Sequence, residues 1–493
     1  MEKERLEKIR KSWTDEDANA NRLMNEALAL WQKTPDSAEN LATIPVLTLS
    51  EIDPEPVVPP TEELKKDGVT VLFHKVPCKG IVHFTMYADL SDFSLRDITV
   101  ISRCGHFYGV LPTAKYDSLE LQKKIRETAG RLYFAFTTNG RAGVTETTKP
   151  YFTVSCSVLE RNLGEACELI REILENTDFS DKNKIKEIVI QNDERLKQWT
   201  VSSGHSLALS VASAGYSAAD AVTEAVSGVT YVKYSHDFAD KFDEYIGEFS
   251  ECFEKLKKHF HQGRLMVSVS TDELPDISPI IGAFRENDET DKARKGGAGF
   301  TKDFPSMVGC VIPAQIGFAT QCYNFGRDGI KYDGTMSVAA KIASLDFMWN
   351  VIRVQGGAYG AGLFVTPAND IKTYSYRDPS PDRSLDENKK VGTFLREFAA
   401  SGSSLDKYII SAIADSDPFA SPRVMGIIAD NNWFAGLGIE DARRFRREML
   451  STDADSIRRF ADMLDRFAEE GAGCVVAYKD ALDKCGDITV YDI

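Results

Sequence analysis

Long apolar runs are missing from this sequence. A helix that crosses a bilayer needs about 20 consecutive, mostly apolar residues, and no run in these 493 residues approaches that length. The first residues, Met1–Leu6, have no apolar segment of the kind that forms a signal peptide. We therefore expect neither a membrane-spanning helix nor a membrane partner.

Basic charge is also in short supply. Asp and Glu together number 75 and Lys and Arg number 59, which gives a formal net charge of -16. A partner that is bound through its phosphate backbone requires a basic face on the protein. The charge balance therefore argues against a nucleic-acid partner. It is compatible with the binding of basic peptides, although surface carboxylates more often serve only to keep a protein in solution.

Paired cysteines are absent as well. The 9 cysteines are scattered singly between Cys78 and Cys485, and none belongs to a Cys-x-x-Cys pair. An odd number without paired spacing indicates neither a disulfide framework nor a structural zinc knot. We predict buried free thiols.

The motifs of self-contained catalytic sites are missing too. No two of the 7 histidines are four residues apart, so the chain has neither HExxH nor the inverse HxxEH. His259 and His261 are two apart at a helix end, a spacing that points their rings to different faces. There is no GxSxG motif, and Gly296–Gly299 lacks the Lys-Ser/Thr of a phosphate-binding loop. The sequence predicts no metal site and no cofactor within this chain.

The residues that are present indicate a folded protein with a repeated plan. Hydrophobic residues make up 43% of the chain, enough for a substantial core. Residues 1–33 read as two helices, the second beginning at Thr14–Asp17 with capping-box spacing and carrying Leu23, Ala27, Leu30 and Trp31 on one face. We predict a helical hairpin hinge over 1–45.

Two similar bodies follow the hinge. Each opens with two β-rich segments, continues with helices, and closes with an amphipathic helix and a strand. The closing strands are 264–269 in the first body and 473–478 in the second. We predict an α+β fold with two homologous domains, 46–275 and 304–493, each a mostly antiparallel sheet covered by helices. A charged, glycine-containing linker over 276–303 separates them.

One stretch in the second body carries candidate functional residues. An apolar helix face ends near Arg353, Gly356-Gly357 stops the helix, and a strand begins at Gly360. This order places Arg353 on the last helical turn and Tyr359 at the start of the strand, close in space across a tight turn. The apolar face recurs at spacings of three and four and consists of Met336, Ala339, Ala340, Ala343, Phe347 and Val351.

These two side chains have a catalytic and a structural interpretation. An arginine fork donates to a peptide carbonyl or a carboxylate, and a tyrosine hydroxyl donates to the oxyanion that forms when water attacks an amide. Alternatively, Arg353 pairs with the carboxyl end of its own helix and Tyr359 fills core. The residues alone leave both interpretations open.

A family resemblance bears on this choice. The segment Ile352–Gly360 resembles the carboxy-terminal signature of presequence proteases, a branch of the pitrilysin and insulinase superfamily. Further segments resemble the same family in the same order along the chain: Trp31–Ser37, Leu41–Pro45, Gly80–His83, Asp89–Asp92, Ser203–Ser206 and Ser375–Pro379.

The resemblance implies a clamshell of four domains in two homologous halves that are joined by the hairpin and enclose a peptide-sized chamber. It makes 46–275 the third, peptidase-associated domain and 304–493 the inactive fourth domain. In the family, the amino-terminal half holds zinc through HxxEH and a downstream Glu. The carboxy-terminal half supplies an Arg and a Tyr for substrate and transition-state contacts, and these roles carry over to Arg353 and Tyr359.

The same resemblance implies a half-enzyme. Where a zinc helix would lie in the first body, Ile101–Phe107 offers only His106. We expect this chain to be the non-zinc-binding half of a zinc metalloendopeptidase that degrades short unfolded peptides, inactive alone and partnered by an amino-terminal zinc-binding half. The expected location is the cytoplasm in a bacterium, or the mitochondrial matrix or plastid if organellar. Two alternatives stay open, a non-catalytic structural subunit and a peptide-binding module of the same fold.

Overall fold

The computed structural model describes residues 2–34, 36–262, 264–283, 299–301, 304–417 and 419–493. The chain divides into two compact units, Met1–Ile52 and Asp53–Ile493. Much of the predicted linker, residues 284–298 and 302–303, lies outside the described residues.

The first unit is helical, with α-helices Glu2–Ser12, Asp15–Lys33 and Ala38–Leu41 and a 3-10 turn Leu49–Glu51. The second helix begins where the capping spacing predicts. The Thr14 hydroxyl accepts a hydrogen bond from the Asp17 backbone N–H at 3.1 Å, and the Asp17 carboxylate accepts one from the Thr14 N–H at 2.9 Å. The apolar face predicted for this helix is not buried, since Trp31 is 73% exposed.

The second unit contains two six-stranded sheets. Strands β1–β6 form the first sheet in the order β1-β2-β6-β3-β5-β4, in which β2 and β6 are parallel and the other neighbours antiparallel. They are Thr61–Lys66, Val69–Lys75, Ile81–Asp89, Arg131–Asn139, Lys149–Leu159 and Leu265–Thr271.

The second sheet repeats this path. Strands β7–β12 lie in the order β12-β7-β11-β8-β10-β9, with β7 parallel to both β11 and β12 and the other neighbours antiparallel. They are Met307–Val311, Gly317–Asn324, Gly360–Val365, Asp370–Tyr376, Ala472–Ala477 and Thr489–Asp492. Apart from β1 and β12, the five remaining strands of each sheet thus follow one topology twice. This confirms the predicted α+β class with two mostly antiparallel sheets. The predicted domain boundaries stay a prediction.

Helices cover both sheets, and no helix in the described part of the chain is long and apolar enough to cross a membrane. The α-helices of this unit are Leu95–Ile101, Ser118–Thr128, Leu163–Asn176, Lys182–Ser202, Gly204–Ser213, Ala218–Ser227, Val229–Asp240, Phe242–Gln262, Ser278–Gly282, Gly334–Ile342, Pro381–Asn388, Val391–Ala400, Asp406–Ser416, Pro422–Ala435, Ile439–Leu450, Ala454–Glu470 and Lys479–Leu482. Three 3-10 segments, Ser102–His106, Glu160–Asn162 and Phe325–Asp328, and a π-helix, Ala343–Val354, complete the set.

The closing helix of each body is amphipathic, as its spacing predicts. In Phe242–Gln262 an aromatic stripe recurs at spacings of three and four, and it consists of Phe242, Tyr245, Phe249 and Phe253. The stripe faces the core, with Phe249 and Phe253 buried. In Ala454–Glu470, Ile457 and Phe467 are 0% exposed. Burial of an aromatic or branched aliphatic side chain stabilises a fold by about 1.5–3 kcal/mol, so these stripes anchor the helices to their sheets.

Two edge strands are absent from the predicted plan. Strand β1, Thr61–Lys66, has the sequence TEELKK, in which Leu64 is the only apolar residue. It is exposed along most of its length, and charged side chains on an edge strand prevent pairing with other molecules. Strand β12, Thr489–Asp492, is short and largely exposed.

A buried polar network joins the first sheet to helix Pro422–Ala435. Asp430, 3% exposed, receives hydrogen bonds at 2.8 Å from His74 Nε2 on β2 and from the Tyr87 hydroxyl on β3. The other ring nitrogen of His74 lies 3.1 Å from the Thr61 hydroxyl on β1. Burial, together with the Asp430 carboxylate, raises the pKa of Tyr87, which keeps this phenol protonated as a donor. The network fixes the helix on the sheet because each buried polar group has a partner.

Replacement of Asp430 by alanine is expected to lower the free energy of unfolding by about 3–5 kcal/mol, since it leaves buried polar partners unsatisfied. Urea denaturation followed by circular dichroism measures the change. The matched control is Glu273→Ala, which removes an exposed carboxylate paired with Lys75, the neighbour of His74, and is expected to leave the midpoint unchanged. Equal effects of both substitutions would contradict a structural role for the network.

Candidate functional site

The helix that leads into the candidate site changes its winding half-way. It is α-helical over Gly334–Ile342 and π-helical over Ala343–Val354. The predicted face is buried as far as Ala343, but Phe347 and Val351 are only half-buried. Met348 and Ile352 are buried instead. Bonds in a π-helix run between residues five apart, so a face predicted at spacings of three and four drifts out of register.

A glycine turn follows the helix at once. Gly357 has φ +83°, a left-handed conformation that glycine adopts without strain. Its N–H donates to the Arg353 carbonyl at 2.9 Å, and the N–H of buried Ala358 donates to the Ile352 carbonyl at 3.1 Å. The Tyr359 N–H then donates to the Tyr376 carbonyl at 2.9 Å, which joins the chain to the sheet. The turn therefore lies where the two glycines predict it.

Arg353 and Tyr359 lie on the two sides of this turn. The guanidinium carbon of Arg353 is 3.7 Å from the centre of the Trp349 ring. Within the ranges that the structure describes, this guanidinium makes no hydrogen bond or ion pair. The Tyr359 side chain is 70% exposed, and its ring centre lies 6.2 Å from that of Tyr376. Tyr359 therefore does not fill core, whereas Arg353 lies in the last turn of its helix and, in the described part of the chain, its side chain makes no hydrogen bond to that helix.

Two further family-like segments meet beside Tyr359. A Cβ at Gly204 would lie 2.4 Å from the Phe318 ring, so glycine permits the close approach of helix Gly204–Ser213 to β8. This approach brings the His205 ring edge-on to Tyr376, at 5.0 Å between centres. The Tyr376 hydroxyl donates to the Ser202 carbonyl at 3.1 Å. Burial lowers the pKa of His205, which favours its neutral form. His205 and Tyr376 lie on separate elements that tertiary packing brings together, so no local pattern in the sequence indicates that His205 lies near the site.

The segment that corresponds to a zinc helix holds an arginine in the core. Arg103 is 1% exposed and donates to the Ser235 hydroxyl. His106 Nε2 lies 3.4 Å from the Tyr231 hydroxyl. Among the residues with described positions, no group of three or more His, Cys, Asp or Glu side chains is arranged to hold a metal ion. The residues with described positions therefore do not fit a zinc site.

Two family models match most of this chain. Residues 1–237 match the family model for the region associated with subfamily C of the M16 peptidases, and residues 308–480 match the PreP C-terminal domain. Presequence protease 1, chloroplastic/mitochondrial, of Arabidopsis thaliana is 27% identical over 490 residues, which are 98% of this chain and 45% of that protein. The chain is a relative of the carboxy-terminal half of presequence proteases.

Other relatives fit the same relationship. Protein HypA of Clostridium perfringens is 26% identical over 495 residues, 99% of this chain and 50% of that protein. The chain thus spans about half the length of these relatives. The predicted resemblance to presequence proteases is confirmed.

Solved structures show the same fold. The peptidase M16 inactive domain from Pseudomonas fluorescens aligns with a TM-score of 0.54 at 13% identity, over 85% of this chain and 98% of that one. A protease from Helicobacter pylori aligns with a TM-score of 0.55 at 12% identity, over 85% of this chain and 100% of that one. At these identities the likeness establishes the fold of this presequence-protease relative.

The glycine turn provides a test of the site's framework. Gly357→Ala is expected to lower the free energy of unfolding by about 1–2 kcal/mol, because a side chain strains a left-handed backbone. Gly360→Ala is the matched control, since its Cβ would meet Tyr376 at an ordinary 3.7 Å. Urea denaturation measures both variants. If Gly357→Ala were as stable as Gly360→Ala, the turn would not require glycine.

Proposed function

We propose that this chain is the non-zinc-binding half of a zinc metalloendopeptidase, and that it contributes Arg353 and Tyr359 to substrate binding and transition-state stabilisation. The observation that carries the proposal is the presence of two available hydrogen-bond donors on the two sides of one hydrogen-bonded turn. A guanidinium without a hydrogen-bonding partner in the described structure and a 70% exposed phenol are available to a ligand.

The chemistry of the pair suits a peptide bond under attack. Stacking on Trp349 at 3.7 Å holds the Arg353 guanidinium while leaving its N–H groups free to donate to a substrate carbonyl. The Tyr359 hydroxyl donates to the oxygen that gains negative charge as the amide carbon becomes tetrahedral. Zinc chemistry belongs to the partner half, and the residues described here bind and orient the peptide.

The first unit supports the existence of a partner half. Its helices display large apolar side chains to solvent, among them Leu23, Met24, Leu30 and Trp31, which are 52–73% exposed. Spacings of seven and eight residues place Leu23, Leu30 and Trp31 on one face of their helix, and an exposed apolar face marks a site that another protein surface covers. Together with the half-length match to its relatives, this supports an amino-terminal zinc-binding half as the partner, in the same longer chain or as a separate subunit.

The proposed substrates are short unfolded peptides. A chamber enclosed between two halves would admit an extended peptide and exclude a folded domain. The pair acts on backbone groups that every peptide carries, so it imposes no side-chain preference of its own. Peptide degradation in a bacterial cytoplasm, a mitochondrial matrix or a plastid is compatible with this activity.

In the assembled enzyme, Arg353→Ala and Tyr359→Phe are each expected to reduce kcat/KM for a fluorogenic peptide by at least about tenfold. Loss of one donor to a developing oxyanion commonly costs about 3–4 kcal/mol. A tenfold reduction corresponds to about 1.4 kcal/mol and is therefore the smallest effect that we expect. Steady-state kinetics measure the effect. The control is Arg458→Ala, which is expected to leave kcat/KM unchanged. Arg458 lies in helix Ala454–Glu470, away from the turn, and pairs with Asp455 of the same helix. Full activity of folded Arg353→Ala enzyme would sink the assignment.

The isolated chain is expected to contain less than stoichiometric zinc by elemental analysis and to hydrolyse no peptide. Mixing it with a separately produced zinc-bearing half is expected to restore hydrolysis. Restored activity that falls with Tyr359→Phe supports the peptidase half. Peptide binding without turnover in the mixture would instead indicate a binding module, and co-purification with subunits of a membrane complex would indicate a structural role.

A further inference from the structure

A cavity of about 590 Å³ lies along the free edge of the second sheet. Strand β9 is the last strand of that sheet, and its residues 361–365 form one wall. The helical segment around Lys341–Trp349 and the end of helix Asp406–Ser416 form the others. The volume is within the range of about 300–1,000 Å³ of small-ligand pockets. It is sufficient for a short stretch of peptide and too small for a folded element.

The lining selects for apolar side chains. Aromatic rings of Tyr332, Trp349, Phe364 and Tyr374 contribute to the walls. The one cation–anion pair at the cavity, Lys341 and Asp415, is closed at 2.6 Å within the described structure, so it leaves no net charge for a ligand. Pockets lined by aromatic rings with few polar groups bind apolar groups. A charged ligand would find no complement here.

Strand addition does not explain the cavity. An exposed sheet edge pairs with an extended peptide through its outward N–H and C=O groups. Here the Ser344 hydroxyl occupies both groups of Leu363, accepting from its N–H at 2.8 Å and donating to its carbonyl at 2.9 Å. The middle of the β9 edge is therefore capped by a side chain. A ligand enters the cavity with its side chains, and not by extending the sheet.

The cavity shares Trp349 with the candidate site. Trp349 lines the cavity with its ring and supports the Arg353 guanidinium on the same ring. Tyr374 lies two residues before Tyr376 on β10, on the same face of the strand. Tyr376 in turn accepts the Tyr359 N–H. A peptide whose backbone meets Arg353 and Tyr359 thus has this cavity next to it.

We propose that the cavity is a side-chain subsite that binds aromatic or long aliphatic residues of the peptide held at Arg353 and Tyr359. The proposal rests on the proposed peptidase function and adds to it the class of substrate side chain. The Arg353–Tyr359 pair holds backbone groups of any sequence, and the cavity supplies a preference for unfolded peptides with exposed apolar residues.

The test uses the 493-residue chain itself and two fluorescein-labelled Gly-Ser peptides that differ at a central pair, Phe-Leu in one and Ala-Ala in the other. Fluorescence anisotropy measures Kd. The Phe-Leu peptide is expected to bind at least about tenfold more tightly than the Ala-Ala peptide, and Phe364→Ala is expected to weaken it about tenfold, the effect of removing one aromatic ring from an interface. Ser416→Trp, from an exposed position at the mouth, is expected to block binding similarly.

The matched control is Tyr133→Ala. Tyr133 is a 55% exposed ring on β4, the edge strand that holds the place of β9 in the first sheet, and its loss is expected to leave Kd unchanged. Equal Kd values for the two peptides, or equal effects of Phe364→Ala and Tyr133→Ala, would overturn the subsite. Loss of turnover on Tyr359→Phe in the enzyme assembled with a zinc-bearing half, with no effect of Phe364→Ala on Phe-Leu binding, would reject the subsite and retain the peptidase function. If Phe364→Ala weakened Phe-Leu binding while Tyr359→Phe left turnover of the assembled enzyme unchanged, the cavity would be retained as a binding site and the catalytic pair rejected.

Discussion

The left-handed backbone at Gly357 is the constraint on which the candidate site depends. The π-helix ends at Val354 and β9 begins at Gly360, and β9 packs against that same helix. The chain must therefore reverse direction within five residues, 355–359. The Gly357 N–H satisfies the Arg353 carbonyl, and Ala358 is buried. Arg353 and Tyr359 consequently lie on the two sides of one hydrogen-bonded turn. A fixed backbone between them reduces the conformational entropy that the protein loses when both side chains contact one ligand.

The repeated topology makes the difference between the two copies chemically informative. In each copy a helical segment follows the second strand of the repeat, Leu95–Ile101 with its 3-10 extension in the first and Gly334–Ile342 with its π-helical extension Ala343–Val354 in the second. The first copy places Arg103 in the interior beside Ser235. In the second copy, Arg353 lies in the last turn of the π-helix, and its guanidinium stacks on the Trp349 ring. The segment that follows the second strand of the repeat thus buries an arginine in one copy and leaves one without a hydrogen-bonding partner in the described part of the other.

Local signals in the sequence predict much of this fold and the framework of the site. The capping residues at Thr14–Asp17, the stripe in Phe242–Gln262 and the Gly356-Gly357 stop depend on residues a few positions apart, so a pattern detects them. Strand β1 pairs with the neighbouring β2, but its charged sequence lacks the apolar alternation that predicts a strand. The π winding changes the spacing of the buried residues, so a search at spacings of three and four does not detect it. The Asp430 network depends on partners far along the chain, since Asp430 and His74 are separated by 356 residues. Such contacts leave no local period, and so neither they nor the cavity at β9 could be predicted.

The Trp349 ring links the two parts of the proposed site energetically. A cation over an aromatic face is worth about 0.5–1 kcal/mol in water and about 2 kcal/mol or more when water is excluded. Trp349 is 41% exposed in the chain alone and lines the cavity. An apolar side chain that fills the cavity therefore excludes water from around the Trp349 ring. The stacking of Arg353 on Trp349 is then expected to strengthen, and the guanidinium to be held more firmly against the substrate backbone. Recognition of an apolar side chain and orientation of the peptide bond would therefore reinforce each other through a single tryptophan.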